Sequence, residues 1–255
     1  MPPDTATGLT EAQARDEICR VGRSLFERGY VHATAGNISV RLDDAHGGGF
    51  LITPTDACLG FLDPARLARL DRDLHQQSGD KASKTIALHA RIYGATARFD
   101  AETRCVIHTH STHCVQLSLL ADRRTAAPAD GLLPEPLLPE LLPAITPYFV
   151  MKVGHVPLIP YHRPGAIEAA EAVAQAISRY GERGTPLRAV MLSRLGPNVW
   201  HDSPSAAMAT LEELEETARL VCMSRLNPAD SAAGALAPLT EAQIQALRDQ
   251  FGARW

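Results

Sequence analysis

Apolar residues near the start of the chain recur at the spacing of one helical face. Ile18, Val21, Leu25 and Phe26 lie three and four apart, the period of a helix with one buried stripe. Thr10 and Gln13 precede them as a capping box, and Gly29 supplies the stop. The pattern then changes to alternation. In "NISVRL" Ile38, Val40 and Leu42 alternate with Ser39 and Arg41, and a glycine-rich turn, "DDAHGGG", leads to a second apolar run, "FLIT". Two antiparallel strands are predicted. Residues 83 to 98 return to the helical period, with Ile86, Ala90, Tyr93 and Ala97 on one side and Ser83 placed as the cap.

The strand "CVIH" and a helix carrying Val115 and Leu119 come next, followed by "APADGLLPEPLLPELLP" at 127 to 143. Its prolines forbid a regular helix or central strand and predict a long loop, a lid or a subunit contact. Beyond it the pattern predicts a strand at "HVPLIPY", a helix over 166 to 180, a strand at "RAVMLS", a turn at Gly196-Pro197 and a short strand "NVW". Ser203-Pro204 opens a long helix through "LEELEETARL", and a last short helix starts from Thr240. Strands and helices alternate without internal repeats. One α/β domain over residues 10 to 226 is expected, after a flexible segment 1 to 9 and before a linker and short helix over 227 to 255.

Composition narrows the function classes. A net charge of −4 over 255 residues gives no basic field for nucleic acid or anionic lipid. No stretch approaches the ~18 apolar residues of a spanning helix, and the opening "MPPDTATGLTEAQ" lacks the basic and apolar regions of a signal peptide, so a cytoplasmic protein is expected. The five cysteines are odd in number and never spaced Cys-x-x-Cys, which disfavours a disulfide framework or a thiolate zinc site. Cys105 reads as core packing.

Chemistry concentrates in "RCVIHTHSTH". Residues two apart on a strand project to one side, so His108 and His110 can present both imidazoles to one point. They are either two ligands of a metal that favours nitrogen donors or polar histidines at a strand end. His113 belongs in the first turn of the next helix, aimed elsewhere, and His32 and His46 read as solvated surface. Three small, hydroxyl-rich turns, "TAGNIS", "TPTDACLG" and "SGDKASK", suit anion binding through backbone N–H groups, or are simply turns and caps. Lys81 and Lys84 favour the anion.

Taken together, "GNIS", "TPT", "VIHTHS", "PYHRPG" and "LEELEE" resemble, in order, the class II aldolase/adducin family from about residue 11 to about 226. "SGDKASK", "ITPYFVMKVGHVPLIPY" and "LEELEETARL" look nearest to its 3-oxo-tetronate 4-phosphate decarboxylase branch. The resemblance implies a three-layer fold with a mixed, mainly antiparallel sheet flanked by helices, and a homo-oligomer, usually a tetramer. It also implies a divalent metal near subunit boundaries, most often zinc, with iron(II) or manganese as alternatives. Carried over residue by residue, the family's ligand pair falls on His108 and His110, and its phosphate contacts on Gly36, Asn37, Thr55 and Ser83, with Lys84 alongside.

Three positions depart from the family's pattern. The third metal histidine is replaced by Leu195, within Arg194-Leu195-Gly196. The acid/base glutamate is replaced by Thr85, which with Lys84 now occupies the catalytic position but cannot shuttle a proton near neutral pH. The glycine after "TPT" is Asp56, whose carboxylate repels a phosphate dianion unless Lys81 or Lys84 neutralises it. His162 in "PYHRPG", rather than His155, is the expected replacement ligand, and Glu212, Glu213, Glu215 and Glu216 are expected on a largely solvated helical face. The reading that results is a divergent metal-dependent lyase, a decarboxylase or retro-aldolase, acting on a small carboxylate or sugar acid for which a phosphate is at odds with Asp56. A non-catalytic adducin-like oligomerisation module and an iron(II) oxygenase on the same fold are the alternatives.

Overall fold

The computed structural model describes residues 8–125, 138–224 and 236–255. Residues 126 to 137, which include most of the proline-rich segment read at 127 to 143, lie outside the described residues, as do residues 1 to 7 and 225 to 235.

Helix α1 (Glu11–Glu27) opens with the expected capping box of Thr10 and Gln13. Eight strands then form one sheet: β1 (Asn37–Arg41), β2 (Phe50–Ile52), β3 (Ala68–Leu70), β4 (Gln76–Ser78), β5 (Cys105–His108), β6 (Leu158–Ile159), β7 (Ala189–Leu192) and β8 (Gly196–His201). Their order is β4-β3-β2-β1-β5-β8-β7-β6, and every pair is antiparallel except β6 with β7. Helices α2 (Ile86–Thr96), α3 (Thr112–Thr125), α4 (Pro147–Lys152), α5 (Ile167–Glu182), α6 (Pro204–Ser224) and α7 (Glu241–Phe251) complete the chain.

The central strand β5 is buried at all four positions, as a strand covered on both faces must be. One face, carrying Ile38, Val40, Ile107, Met191 and Val199, packs on apolar residues of α1, α3 and α6. The other, with Val106, Val190 and Trp200, packs on Ile92 and Tyr93 of α2 and Val173 and Ile177 of α5. The result is a three-layer α/β fold. Helix α7 sets Ile244 against Ala144 and Val150, while Trp255 stacks on His155 at 4.4 Å between ring centroids.

Several local expectations are corrected. The N-cap of α2 is Thr85, without a side-chain cap bond, and Ser83 Oγ instead lies 2.8 Å from Thr85 Oγ1. The buried face of α2 is His89, Ile92, Tyr93 and Thr96, rotated from the predicted stripe. Ser39 explains the rotation: its hydroxyl sits 2.7 Å from His89 Nδ1 and 2.8 Å from the Tyr93 hydroxyl, which makes two polar side chains buriable. Gly196 and Pro197 belong to β8, and the turn is 193 to 195. A Cβ at Gly196 would collide with the Thr109 carbonyl, so a residue that looks like a turn signal is there for close backbone approach. The strand in "HVPLIPY" shrinks to two residues. Glu215 is buried rather than solvated. It accepts bonds from the backbone N–H groups of His113 and Cys114 at 2.9 and 3.1 Å and lies 2.8 Å from His113 Nδ1, tying α6 to the start of α3.

Candidate active site

Sheet register brings the motifs to one end of the sheet. Asn37 pairs with His108, and His108 with Asn198, so three polar side chains lie in one row across β1, β5 and β8 on the α2-facing side. Gly36 precedes this row at φ 86°, and a Cβ there would meet the His108 carbonyl oxygen at 2.9 Å and Val31 at 2.8 Å. Only glycine meets both demands. The segment after β2 reaches the same end, where Thr53 Oγ1 accepts from Ile38 N–H at 3.2 Å. Backbone bonds from Thr55 N–H to the Lys81 carbonyl and from Ser83 N–H to the Thr53 carbonyl then join "TPT" to "DKAS". Helix α2 meets Ser39 through His89, so Thr85, one turn earlier, lies toward the histidine end.

His108 is buried, with Nδ1 2.9 Å from the Pro197 carbonyl oxygen. A carbonyl only accepts, so Nδ1 carries the proton and Nε2 keeps its lone pair, the arrangement in which a ligating histidine is held by an outer partner. The half-buried His110 ring lies 4.9 Å from that of His108. Burial, with His110 close by, pushes His108 down to about 4 despite the opposing bond to Pro197. Burial and then His32 lower His110 as well. Both imidazoles are therefore neutral and able to donate lone pairs at physiological pH. Behind them His89 is fully buried and pushed down to about 3, by burial first and His108 second. Its Nε2, both amide atoms of Asn198 and Asn37 Oδ1 have no protein hydrogen-bond partner. A histidine pair with the tautomer preset, beside polar atoms left unsatisfied, fits two positions of a nitrogen-preferring divalent ion.

The anion side is less uniform. Asp56 adopts φ 57°, the left-handed conformation that favours glycine. With Thr55, Lys81, Arg66, Asp63 and Asp80 it lines a cavity of about 480 Å³. Arg66 is engaged by Asp80 at 2.5 Å, which leaves Lys81 facing two further carboxylates. Lys84 is exposed.

His162 lies in the loop between β6 and α5. Among the described residues the three-donor group with ligand atoms within 4.8 Å of one another is Asp71, Asp73 and His75, and neither His162 nor His32 joins His108 and His110 on that criterion. The Asp71 carboxylate already accepts from the N–H groups of Asp73 and His75 and from Gln77 Nε2, which is the bonding of a turn. Spacing points to neither Asn198 nor His89; the former declares itself only through strand pairing, the latter by standing one helical turn after Thr85.

The profile described as "Class II Aldolase and Adducin N-terminal domain" matches residues 16–222. The chain belongs to this family. It is 48% identical over 246 residues, 96% of its own length and 99% of the relative's, to a Cupriavidus necator protein named 3-oxo-tetronate 4-phosphate decarboxylase. The crystal structure of Escherichia coli YgbL superposes with a TM-score of 0.74 at 34% identity, covering 93% of this chain and 99% of that one. L-fuculose-1-phosphate aldolase from Thermus thermophilus follows at 0.65 and 26%, covering 88% and 98%. The family and branch read from "VIHTHS" and "SGDKASK" are thus established, as is the class II aldolase fold. In this class II aldolase-type chain, Leu195 is half-buried in the β7–β8 turn against the α2- and α5-facing core. No helix among the described residues is long and apolar enough to cross a membrane.

Proposed function

We propose that this chain is a metal-dependent lyase that decarboxylates a small 3-oxo sugar acid, with 3-oxo-tetronate 4-phosphate as the first substrate to test. The observation that carries the reading is the pair of neutral imidazoles, one locked with Nε2 free by the Pro197 carbonyl, in a chain nearly half identical to a named decarboxylase. His108 and His110 would hold the divalent ion, zinc by donor chemistry with iron(II) or manganese as alternatives. When bound, that ion supplies positive charge where a ketone oxygen becomes an enolate. The hydroxyls of Ser83 and Thr85, 2.8 Å apart before α2, donate to a carboxylate or phosphate oxygen, with Asn37 and the backbone at Gly36 closing the other side. The exposed Lys84 draws the anion in. Thr85 cannot relay a proton, and decarboxylation tolerates this better than aldol addition. Loss of carbon dioxide needs an electron sink first and a proton only afterwards, which water can deliver. Retro-aldol cleavage instead requires a base at the outset.

The subunits form a cytoplasmic homotetramer in this reading, with the site near a subunit boundary. The oligomerisation-module reading draws on one observation, the aliphatic Leu195 and the hydroxyl of Thr85 where the family carries a ligand and an acid. Carbon dioxide release from 3-oxo-tetronate 4-phosphate and its unphosphorylated analogue decides between them. Turnover by zinc-loaded protein, lost by about 100-fold or more in His108→Ala, is expected. Folded protein that turns over neither compound and binds no metal would leave only the oligomerisation module.

A further inference from the structure

Two imidazoles make an incomplete metal site, and Leu195 stands in the sequence where the resemblance expects the third histidine. The strand pairing leaves three other histidines as replacements. His89 is close to His108, yet it is fully buried behind β1 with Nδ1 at Ser39, on the core side of the pair. His162 belongs to the loop after β6, and no ring contact joins it to either ligand among those the described residues make. His32 does make one. Its ring stands edge-on to His110, with centroids 6.5 Å apart at 82°.

The distances discriminate further. An ion bound tetrahedrally at about 2.0–2.1 Å from each nitrogen holds ring centroids about 5 Å apart. His108 and His110 already meet that figure at 4.9 Å. His32, 6.5 Å from His110, must close on that ring by about 1.5 Å, a displacement within the reach of an exposed side chain's rotamers. His32 is exposed, and its loop is short, running from Val31, which is buried against Gly36, to the start of β1. One end of this loop is fixed beside His108, while the imidazole itself is exposed. His32 is exposed where His89 is fully buried, so of the two it is the one that meets the pair from accessible surface.

We propose that His32 supplies the third imidazole of the metal site, replacing from the α1–β1 loop the ligand lost at Leu195. The site so formed is a three-histidine centre for a borderline divalent cation, with a fourth position open to substrate oxygen or water. This inference rests on the metal reading above and changes its ligand set: the third donor is His32, not His162.

Cobalt(II) provides the test, since its visible absorption reports coordination without any turnover. Chelator-treated full-length protein is titrated with cobalt(II) as wild type, His32→Ala and His162→Ala. The expected result is one ion per chain in wild type, with affinity weakened at least 10- to 100-fold in His32→Ala, the scale seen even for outer partners of metal ligands. The d–d band of His32→Ala should also change in intensity, and His162→Ala should stay within about twofold of wild type. His32 is exposed, so its removal leaves the fold intact, which circular dichroism checks. Equal binding and spectrum in wild type and His32→Ala would overturn the His32 assignment and leave the metal-dependent lyase standing. A loss confined to His162→Ala would overturn it in favour of the β6–α5 loop. A wild type that takes up no cobalt(II) would overturn this inference and the metal reading together.

Discussion

Lowering the pH of the metal-free protein should drain its stability at a rate set by two buried histidines. His89 is held neutral at about 3 by burial and the nearby His108, and His108 at about 4 by burial and His110; both start from 6.5. Depressed values in the fold mean that the unfolded chain takes up each proton first. Stability is then complete above about pH 6.5 and falls as the pH drops toward 3 to 4. Well below 6.5 each histidine contributes a slope approaching about 1.4 kcal/mol per pH unit and the pair about 2.7, which integrates to about 3 kcal/mol between pH 6.5 and 5 because the unfolded-chain histidines are only half protonated at the start. That is a large part of the 5–15 kcal/mol typical of a domain. Urea unfolding at fixed protein concentration, with a chelator present, at pH 7, 6.5, 6, 5.5 and 5 measures it; fixed concentration keeps any assembly constant. His89→Gln cannot titrate and should take up to about 1.4 kcal/mol per pH unit off the slope. A variant slope equal to that of wild type would refute the view that His89 is a buried neutral base.

Two substitutions probe other parts of the site and its support. Asp56→Gly suits φ 57° and removes a carboxylate from the cavity wall, so KM for a phosphorylated substrate should fall about 10-fold or more while that for the unphosphorylated analogue holds steady; equal shifts for both would show that Asp56 does not face the phosphate. Glu215→Ala strips three partners, two backbone N–H groups at 2.9 and 3.1 Å and the His113 ring at 2.8 Å, and should lower urea-measured stability by about 2–4 kcal/mol. A loss below about 0.5 kcal/mol would show that water replaces this carboxylate.

Elements with a strong period are legible in the amino-acid sequence alone. The capping box of Thr10, the helix start at Thr240, the apolar stripe of α1 and the buried run of β5 each carry their signal within one turn or strand. Strands β3 and β4 are not legible: three residues each, with the exposed β4 at the sheet edge, they are held by pairing, β3 with β2 and β4 with β3, rather than by composition. The rotation of α2 depends on Ser39, 50 positions from His89, and no local pattern encodes it. The histidine pair is legible because one strand carries it. The row of Asn37, His108 and Asn198 is not, because register between strands defines it. His32 reads as solvated surface, and exposed it is; only its ring contact with His110 separates it from any other surface histidine.

The three positions read as departing from the family's pattern all lie outside the strands. Asp56 and Leu195 lie in turns and Thr85 at a helix cap, whereas Asn37 opens β1 opposite His108, and His108 closes β5 between Asn37 and Asn198, both buried. A strand residue in the middle of a sheet is constrained by two neighbours and by the helix layers above and below, so exchanging it disturbs packing as well as chemistry. A turn residue is constrained mainly by its own φ and ψ, which Asp56 satisfies in the left-handed region where asparagine and aspartate are the tolerated alternatives to glycine. The scaffold can therefore keep its histidine pair while the groups around it are replaced singly. In the proposed three-histidine site the third ligand comes from a loop at the same end of the sheet, the α1–β1 loop, which Gly36 anchors against His108.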